Sequence, residues 1–511
     1  MYLTQALHRH LQQVPDAAAS IDGDRVRTWR ELIERVARFA GGLRGLGFQA
    51  GDRVAILARN GDEYMDYLYG AFWAGGVVNP INWRWVPHEI GYSLENSRTR
   101  ILFIGPEFVP QLDAIRQHSP SLEQVIELGD DYERWLGAAT PVPDALRRGD
   151  DLAALLYTGG TTGFPKGVML SHRNILASAM GCLMAPGCAV GRSYLHTAPL
   201  FHIGGLGGLF MAVLSGATNI FLPAFEPKAV LNALVEHQVS DYFMVPTMIR
   251  MLINHPRFSE FDVSHLRTLR YGASPIDEAL LEDAVKAFPK ARFCQAYGMT
   301  ELAPTVSVLV PDDHSEEARR QGRGRSAGRA TSVAEIRIVN GNNEELPRGE
   351  IGEIVARGEN VMLGYWELPE QTAEALRGGW MHTGDVGRMD AAGYVTVVDR
   401  LKDMIITGGE NVYSAEVESV LSVHPAVAEV AVIGVPHPTW GEAVHALIVP
   451  RESPPSAEEL MAHCRGTLAG YKVPRSFAFV EAFPLSGAGK VLKNVLREQW
   501  SSDASTSPSI S

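Results

Sequence analysis

The stretch that decides the fold is Leu152-Ala-Ala-Leu-Leu-Tyr-Thr-Gly-Gly-Thr-Thr-Gly-Phe-Pro-Lys-Gly167. Its apolar first half predicts a buried strand, and the glycines and threonines that follow predict a loop before a helix that begins near His172. Backbone N–H groups exposed by glycine, threonine hydroxyls and one lysine are the donors that surround a phosphate. Pro165 stands where a Walker A loop needs glycine, and Gly167 replaces its Ser or Thr. The stretch therefore predicts a strand, a phosphate-binding loop and a helix, but not a kinase or motor ATPase.

The sequence on both sides of this loop predicts an α/β protein of more than one domain. Apolar strands alternate with helical segments from about Thr28 to Val308, as in Arg53-Val-Ala-Ile-Leu-Ala followed by the helix predicted from Asp62 to Ala74. This pattern predicts two α/β subdomains with largely parallel sheets. From Val333 the pattern changes to strands and turns, which predicts a β-rich subdomain. We therefore expect a large domain over residues 1–399, a small α+β domain that extends to residue 500, and a disordered Ser/Thr/Pro-rich tail at residues 501–511.

Composition and charge limit the classes of function. The 46% hydrophobic and 21% charged residues are typical of a soluble globular protein, and the net charge of −13 argues against a nucleic-acid partner or a basic membrane-binding face. The four cysteines lack the spacing of a zinc or disulfide site, and the N-terminus does not resemble a secretory signal, so we expect a cytoplasmic protein. The apolar stretch from Ala198 to Ala217 contains five glycines, which favours a buried core segment over an integral membrane segment.

Seven further motifs follow the loop in a fixed order. They are Pro199-Leu-Phe-His202, Gly272-Ala-Ser-Pro275, Tyr297-Gly-Met-Thr-Glu301, Thr383-Gly-Asp385, Asp399-Arg-Leu-Lys-Asp403, Gly408-Gly-Glu-Asn-Val-Tyr413 and Gly487-Ala-Gly-Lys490. With the loop, they make the chain resemble the adenylate-forming superfamily of acyl-CoA synthetases, luciferases and peptide-synthetase adenylation domains over nearly its whole length. Gly159 is a departure, since the family's loop usually has serine there.

The resemblance implies an ATP-dependent acid:CoA ligase. A carboxylate is a poor electrophile, so such an enzyme first forms an acyl-adenylate with release of pyrophosphate and then passes the acyl group to the thiol of coenzyme A. Since carboxylate and phosphate are both anions, cations and oriented donors are expected to dominate the first step. Mg²⁺ is the expected cofactor beside the triphosphate.

The resemblance also implies roles for individual residues in the first step. Lys490 corresponds to the catalytic lysine, Thr300 to a phosphate contact, Glu301 to the magnesium ligand and His202 to the gate between the acyl pocket and the thiol tunnel. The implied ATP and AMP contacts are Thr158, Gly159, Gly160, Thr161, Thr162, Gly163, Lys166, Gly272, Ala273, Ser274, Tyr297, Asp385 and Arg400.

The second step needs a thiol at the carbonyl carbon that Lys490 serves in the first step. The family achieves this by rotating its C-terminal domain about a hinge, which corresponds here to residues 400–402 with Lys402, and the resemblance implies that residues 403–500 form the mobile lid. Gly408 and Gly409 are expected to let the pantetheine arm pass. Trp440 and Arg475 are weaker candidates for the CoA nucleotide, with ordinary packing as the alternative. A homodimer is a further expectation from the family.

Other functions fit the sequence less well. A domain that activates an amino acid for a carrier protein usually has an aspartate for the substrate's ammonium, but Phe201-His202 stands at the matching motif. A luciferase-type oxygenase is rare within the family. A non-catalytic nucleotide-binding protein would not need Lys490.

The acid itself is the open part of the prediction. The pocket is expected between Phe201 and Met248 and near residues 272–299, where Lys228, Lys286, Lys290 and Arg292 fall in stretches typical of solvated surface. An apolar acid therefore fits, and we expect a medium-chain or long-chain fatty acid, with an aromatic acid of the benzoate or cinnamate type as the alternative. Glycines Gly204, Gly205, Gly207 and Gly208 either leave room for a tail or let helices pack closely.

Overall fold

The computed structural model describes residues 1–158, 165–485 and 491–502. Predictions for Gly159, Gly160, Thr161, Thr162 and Gly163, for Lys490, and for the tail beyond residue 502 lie outside the described residues.

The strands of the described ranges are numbered in chain order. They are β1 Ala18–Asp22, β2 Arg25–Thr28, β3 Arg53–Leu57, β4 Val77–Pro80, β5 Ile101–Ile104, β6 Gln124–Glu127, β7 Leu152–Thr158, β8 Lys166–Ser171, β9 Ser193–His196, β10 Thr218–Phe221, β11 Asp241–Met244, β12 Thr268–Gly272, β13 Arg292–Gly298, β14 Thr305–Leu309, β15 Arg329–Ala330, β16 Ala334–Val339, β17 Gly352–Gly358, β18 Gly364–Tyr365, β19 Met381–Met389, β20 Val395–Arg400, β21 Ile405–Thr407, β22 Glu410–Val412, β23 Val427–His437, β24 Gly441–Pro450 and β25 Ser476–Phe479.

The α-helices are numbered in the same way. They are α1 Gln5–Gln13, α2 Trp29–Gly45, α3 Glu63–Ala74, α4 Pro87–Asn96, α5 Leu112–His118, α6 Asp130–Ala138, α7 His172–Met184, α8 Ile203–Ser215, α9 Pro227–Glu236, α10 Pro246–Ile253, α11 Glu278–Ala287, α12 Glu316–Arg320, α13 Pro369–Ala375, α14 Ser414–Ser422, α15 Ala457–Arg465 and α16 Lys493–Ser502.

The chain divides into two compact units, and the first comprises Met1–Ile336 and Ala356–Met381. It holds a nine-stranded sheet, in the order β15-β14-β13-β12-β11-β9-β10-β1-β2, and a seven-stranded sheet, in the order β18-β8-β7-β4-β3-β5-β6. Both sheets are parallel in their middle. The nine-stranded sheet has antiparallel pairs at both ends, whereas the seven-stranded sheet has them only at its β18-β8-β7 end. The two predicted α/β subdomains with largely parallel sheets are therefore confirmed.

The predicted strand and helix are present as β7 and α7, and strand β8, which was not predicted, directly precedes α7. Helix α7 begins at His172 because the Ser171 hydroxyl accepts from the backbone N–H of Asn174 and the Asn174 side chain accepts in return from Ser171. The apolar stretch from Ala198 to Ala217 contains the buried helix α8. None of the helices in the described part of the chain combines the length and the apolar character that a membrane span requires.

The second unit comprises Arg337–Val355 and His382–Ser511. It holds most of a four-stranded sheet, in the order β16-β17-β19-β20, and a five-stranded sheet in which β22, β21, β24 and β23 are neighbours and β25 pairs with β24. The apolar core of the five-stranded sheet includes Val432 and Ile448, covered by Leu421 of α14 and Leu460 of α15. The predicted change of texture near Val333 corresponds to the four-stranded sheet, and the predicted boundary at residues 399/400 falls at the end of β20, inside this unit.

Candidate active site

The two ends of the predicted phosphate loop meet at one edge of a strand pair. Thr158 at the end of β7 lies opposite Lys166 at the start of β8 in an antiparallel ladder. Both side chains are half-buried. The Lys166 ammonium lies 5.1 Å from the centre of the Tyr365 ring. The pairing therefore holds the chain before and after the loop together and fixes its lysine against an aromatic face.

Two parallel strands of the nine-stranded sheet end at the predicted adenine-binding residues. Gly272 at the end of β12 lies opposite Ala296 of β13, and a β-carbon on Gly272 would stand 2.3 Å from the Ala296 carbonyl oxygen. Only glycine permits this approach. Ala273 follows with a φ of 66°, which turns the chain out of the sheet toward Ser274, and Tyr297 lies at the end of β13. Ligands of open α/β sheets bind beyond the carboxyl ends of such strands, which is where these residues lie.

Glu301 stands in a short 3₁₀ turn, Thr300–Leu302, directly after β13. Its side chain is buried, and the residue is 6% exposed. The Tyr365 hydroxyl donates to Glu301 Oε1 at 2.8 Å, and the backbone N–H of Met362 donates to the Glu301 carbonyl oxygen at 2.9 Å. Burial and the neighbouring Glu301 carboxylate raise the pKa of Tyr365. A buried carboxylate held in this way is a hard oxygen donor of the kind that Mg²⁺ prefers, so Glu301 fits the role of a magnesium ligand.

His202 precedes the first residue of α8, and its ring centre lies 4.6 Å from that of Phe201. The turn before it is fixed by the buried Asn60, which donates to the Ala198 carbonyl at 2.9 Å and accepts from the Leu200 N–H at 3.0 Å. The position of His202 at the entrance of α8 is therefore set by an asparagine that no predicted motif contains. The four cations near the expected pocket are all exposed, as predicted: Lys228, Lys286, Lys290 and Arg292.

The predicted ribose-binding pair lies in the second unit. Asp385 of β19 is opposite Arg400 of β20 in the antiparallel ladder, and Arg400 Nε lies 2.8 Å from Asp385 Oδ1. Asp385 is 4% exposed, and its backbone N–H donates to the Thr383 hydroxyl. The structure therefore brings together two residues that the sequence assigned to the same ribose.

The predicted hinge residue Lys402 lies in a 3₁₀ turn directly after β20. Burial lowers the pKa of Lys402, with a further contribution from the charges of Arg400 and Arg497. Asp403 accepts from Arg497 of α16 at 2.5 Å, and the Asp399 carboxylate accepts from the Ser414 hydroxyl at 2.9 Å. Carboxylates just before the turn and at its end therefore connect it to α14 and α16.

The four predicted CoA contacts form one group in the second unit. Gly408 and Gly409 have φ values of 60° and 86°, and the Gly408 N–H donates to the Trp440 carbonyl at 2.8 Å. The Arg475 guanidinium lies 4.1 Å from the centre of the Trp440 ring, and the ring of His437 stacks on Trp440 at 4.2 Å. A β-carbon on Gly409 would meet no atom within 4 Å, which leaves open space beside the backbone.

Three contacts of the site were not predicted from the sequence: those of Tyr365, Asn60 and His437. Tyr365 is 64 residues from Glu301, and only the strand pairing of the fold brings the two together. The signal available was weak, since Gly364-Tyr-Trp366 is a short aromatic run with no chemical motif of its own.

Models of two families match the chain. The AMP-binding enzyme family matches residues 7–366, and the AMP-binding enzyme C-terminal domain matches residues 416–490. Among curated proteins, a feruloyl-CoA synthase of an Amycolatopsis species is 42% identical over 96% of this chain and 98% of its own length. The long-chain-fatty-acid–CoA ligase FadD13 of Mycobacterium tuberculosis is 36% identical over 93% of each chain.

A solved structure matches over almost the same extent. It is an o-succinylbenzoate CoA synthetase from Bacillus subtilis in complex with its acyl-adenylate intermediate, with a TM-score of 0.86, 32% identity and coverage of 96% of this chain and 97% of that one.

Proposed function

Since the chain belongs to the AMP-binding enzyme family, we propose that the acid it joins to coenzyme A is an aromatic carboxylic acid. The resemblance stated from the motifs is confirmed, as are the fold class and the reaction class: the chain is an AMP-forming acid:CoA ligase that uses ATP and coenzyme A. Within this class the sequence favoured a fatty acid and kept an aromatic acid as the alternative. The packing of α8 supports the alternative.

The observation that carries the proposal is the packing of the four glycines of α8. A β-carbon would stand 2.4 Å from the Pro199 carbonyl oxygen at Gly205, 3.1 Å from Pro304 at Gly207 and 2.7 Å from the Tyr194 hydroxyl at Gly208. These three glycines therefore serve close packing and do not open a channel for a long tail.

Gly204 differs from the other three glycines, because a β-carbon there would make only an ordinary contact. The nearest atom to a β-carbon there is Cε1 of Phe243, at 3.8 Å. A small cavity at this point is lined by Gly204, Phe243, His196 and Tyr194. The cavity has room for about one water molecule. The rings that line it offer the offset and edge contacts from which an aromatic acid gains in addition to burial. The feruloyl-CoA synthase that is 42% identical to this chain bears the name of an aromatic acid, which agrees with this reasoning.

The first step joins the carboxylate oxygen of the acid to the α-phosphorus of ATP while the bond to pyrophosphate breaks. We propose that Lys166 and the donors of its loop hold the phosphates, that Asp385 and Arg400 hold the ribose, and that Lys490 neutralises the meeting anions. Mg²⁺ held by Glu301 would supply further positive charge for the departing pyrophosphate.

The second step joins the sulfur of coenzyme A to the acyl carbon, and AMP leaves with the electron pair of the broken bond. We propose that Gly408 and Gly409 line the path of the thiol, with Trp440 and Arg475 toward the nucleotide end of coenzyme A. The support is the open space beside Gly409 and the backbone bond from Gly408 to Trp440. Lys490 and Gly409 would then act in different steps.

A substrate panel tests the choice of acid. Pyrophosphate release with coenzyme A present is measured for benzoate, 4-coumarate and ferulate and for octanoate, dodecanoate and palmitate. We expect higher kcat/KM for at least one aromatic acid than for every fatty acid. A preference for palmitate or dodecanoate over all the aromatic acids would refute the proposal.

Two variants at Gly204 locate the pocket. Gly204→Ala adds one carbon at ordinary contact distance from Phe243 and is expected to keep most activity. Gly204→Leu has more volume than the cavity can hold and presses against Phe243, so we expect KM for the aromatic acid to rise about tenfold or more while the affinity for ATP stays unchanged. Equal KM values for the aromatic acid in both variants would show that the acid does not bind beside Gly204.

A further inference from the structure

A two-residue strand carries an aromatic side chain into the site. Strand β18 pairs antiparallel with β8, with Tyr365 opposite Val168, and the backbone N–H groups of Leu363 and Trp366 donate to Met169 and Gly167 at 2.9 and 2.8 Å. Strand β8 begins at Lys166. The register therefore sets the position of Tyr365 relative to the end of the phosphate loop.

The backbone of β18 is held on its other side as well. The Thr372 hydroxyl accepts from the Tyr365 N–H at 2.9 Å and donates to the Leu368 carbonyl at 2.8 Å. A β-carbon on Gly364 would stand 2.6 Å from the Thr372 side chain, and Gly364 has a φ of 141°, so glycine is needed there. These contacts leave little freedom for the position of the Tyr365 ring.

The hydroxyl of Tyr365 donates to Glu301 Oε1 at 2.8 Å. A tyrosine hydroxyl is protonated at neutral pH, so it acts as the donor in this bond and the carboxylate as the acceptor. The segment that carries Tyr365 also holds the Glu301 backbone, through the N–H of Met362. One short strand thus fixes both the carboxylate and the main chain of Glu301.

The ring of Tyr365 contacts a second charged group, the ammonium of Lys166. The Lys166 ammonium lies 5.1 Å from the ring centre, and among the residues that the structure describes Lys166 forms no ion pair. Glu301 and Lys166 therefore contact different parts of one phenol and do not pair with each other. A direct pair would cancel the two charges, whereas the aromatic ring attracts the cation without neutralising it.

From this geometry we propose that Tyr365 is a positioning residue that keeps Glu301 oriented for Mg²⁺ and Lys166 oriented for the phosphates of ATP. The inference rests on the proposed roles of Glu301 and Lys166. It adds that neither group is held correctly without Tyr365, and that the hydroxyl and the ring have separable tasks.

Binding measurements on the full chain separate these tasks. ATP binding is followed by calorimetry over a series of Mg²⁺ concentrations, without the acid substrate, so that the readout is independent of turnover. Tyr365→Phe keeps the ring and loses the bond to Glu301, so we expect the Mg²⁺ concentration for half-maximal ATP affinity to rise about tenfold, with little change in Mg²⁺-free affinity. Tyr365→Leu also loses the ring, so we expect Mg²⁺-free affinity to fall as well.

Tyr132→Phe is the matched control. The Tyr132 hydroxyl donates to the buried Asp66 carboxylate at 2.9 Å, in a part of the first unit for which no role in the reaction is proposed. Tyr132→Phe removes the same kind of bond, a tyrosine hydroxyl donating to a buried carboxylate. We expect the Mg²⁺ dependence of its ATP binding to equal that of the wild type. A shift as large as that of Tyr365→Phe would show a general effect of lost stability and would overturn the inference.

Glu301→Gln distinguishes failure of the inference from failure of the proposed metal site. If Glu301→Gln loses the Mg²⁺ dependence of ATP binding and Tyr365→Phe keeps the wild-type dependence, the metal site stands and the positioning role is wrong. If Glu301→Gln itself keeps the wild-type dependence, Glu301 does not hold Mg²⁺, and both proposals are overturned.

Discussion

Replacement of Asp385 gives the most direct test of the nucleotide site. Asp385 is 4% exposed, and Arg400 Nε lies 2.8 Å from its Oδ1. If the carboxylate accepts bonds from the ribose hydroxyls, Asp385→Ala removes at least one bond to a charged group. Such a bond contributes about 1.5 to 3 kcal/mol, which corresponds to a roughly 10- to 150-fold increase in Kd for ATP.

The fold should tolerate this change. The side chain of Arg400 is 42% exposed, so water can solvate its guanidinium when the partner is removed. Loss of such a partly exposed ion pair costs about 1 kcal/mol or less in the free energy of unfolding. We therefore expect an unchanged circular dichroism spectrum and a small decrease in Tm.

The assay compares two nucleotides, ATP and 2′,3′-dideoxy-ATP, in a cycle with wild type and Asp385→Ala. If Asp385 holds the ribose, the variant should lose affinity for ATP but bind both nucleotides alike, because the dideoxy compound lacks the same contacts. Asp390→Ala, in the turn between β19 and β20, is the control and should leave both affinities unchanged. An equal loss for both nucleotides in Asp385→Ala would refute the assignment to the ribose.

Two further predictions concern the order of steps and the response to pH. Lys490→Ala should abolish acyl-adenylate formation but still convert a supplied acyl-adenylate to thioester. Gly409→Leu should form the acyl-adenylate but fail to convert it to thioester. Single-turnover assays of each step measure this, and equal loss of both steps in both folded variants would contradict the separate roles. Burial lowers the pKa of His196 to about 4, so the stability it contributes is complete above pH 6.5 and is lost as the pH falls toward 4. Urea unfolding should therefore give a pH slope between pH 6.5 and 5 that is smaller in His196→Gln than in wild type by up to about 1.4 kcal/mol per pH unit, and equal slopes would show that folding does not lower the pKa of His196.

The fold was largely predictable because its signals are local. Strand β7 is a run of apolar residues, and α7 begins at the cap Ser171-His-Arg-Asn174, so each element follows from a few neighbouring residues. The pairing of Asp385 with Arg400 could also be predicted, because the two motifs assign these residues to one ligand. The hairpin of β19 and β20 places the two residues opposite each other.

Packing partners distant in the sequence were not predictable. The role of the α8 glycines depended on what stands opposite each one, and the partners Pro304 and Tyr194 come from separate strands or turns. Asn60 holds a turn 138 residues away, and no periodicity or motif marks a buried asparagine for such a contact. The proposal of an aromatic acid therefore rests on packing that the sequence does not reveal.

The net charge of the whole chain opposes the binding of anions, whereas the cations of the proposed site favour it. With a net charge of −13, the protein repels the anions ATP, carboxylate and coenzyme A at long range. Salt screens that field beyond about 10 Å, so binding depends on cations whose charge is still available at short range. Most arginines in the described part of the chain form ion pairs with nearby carboxylates, as Arg25 does with Asp62 and Glu63. Lys166 instead rests on an aromatic ring, which fixes its position and preserves its full charge for phosphate.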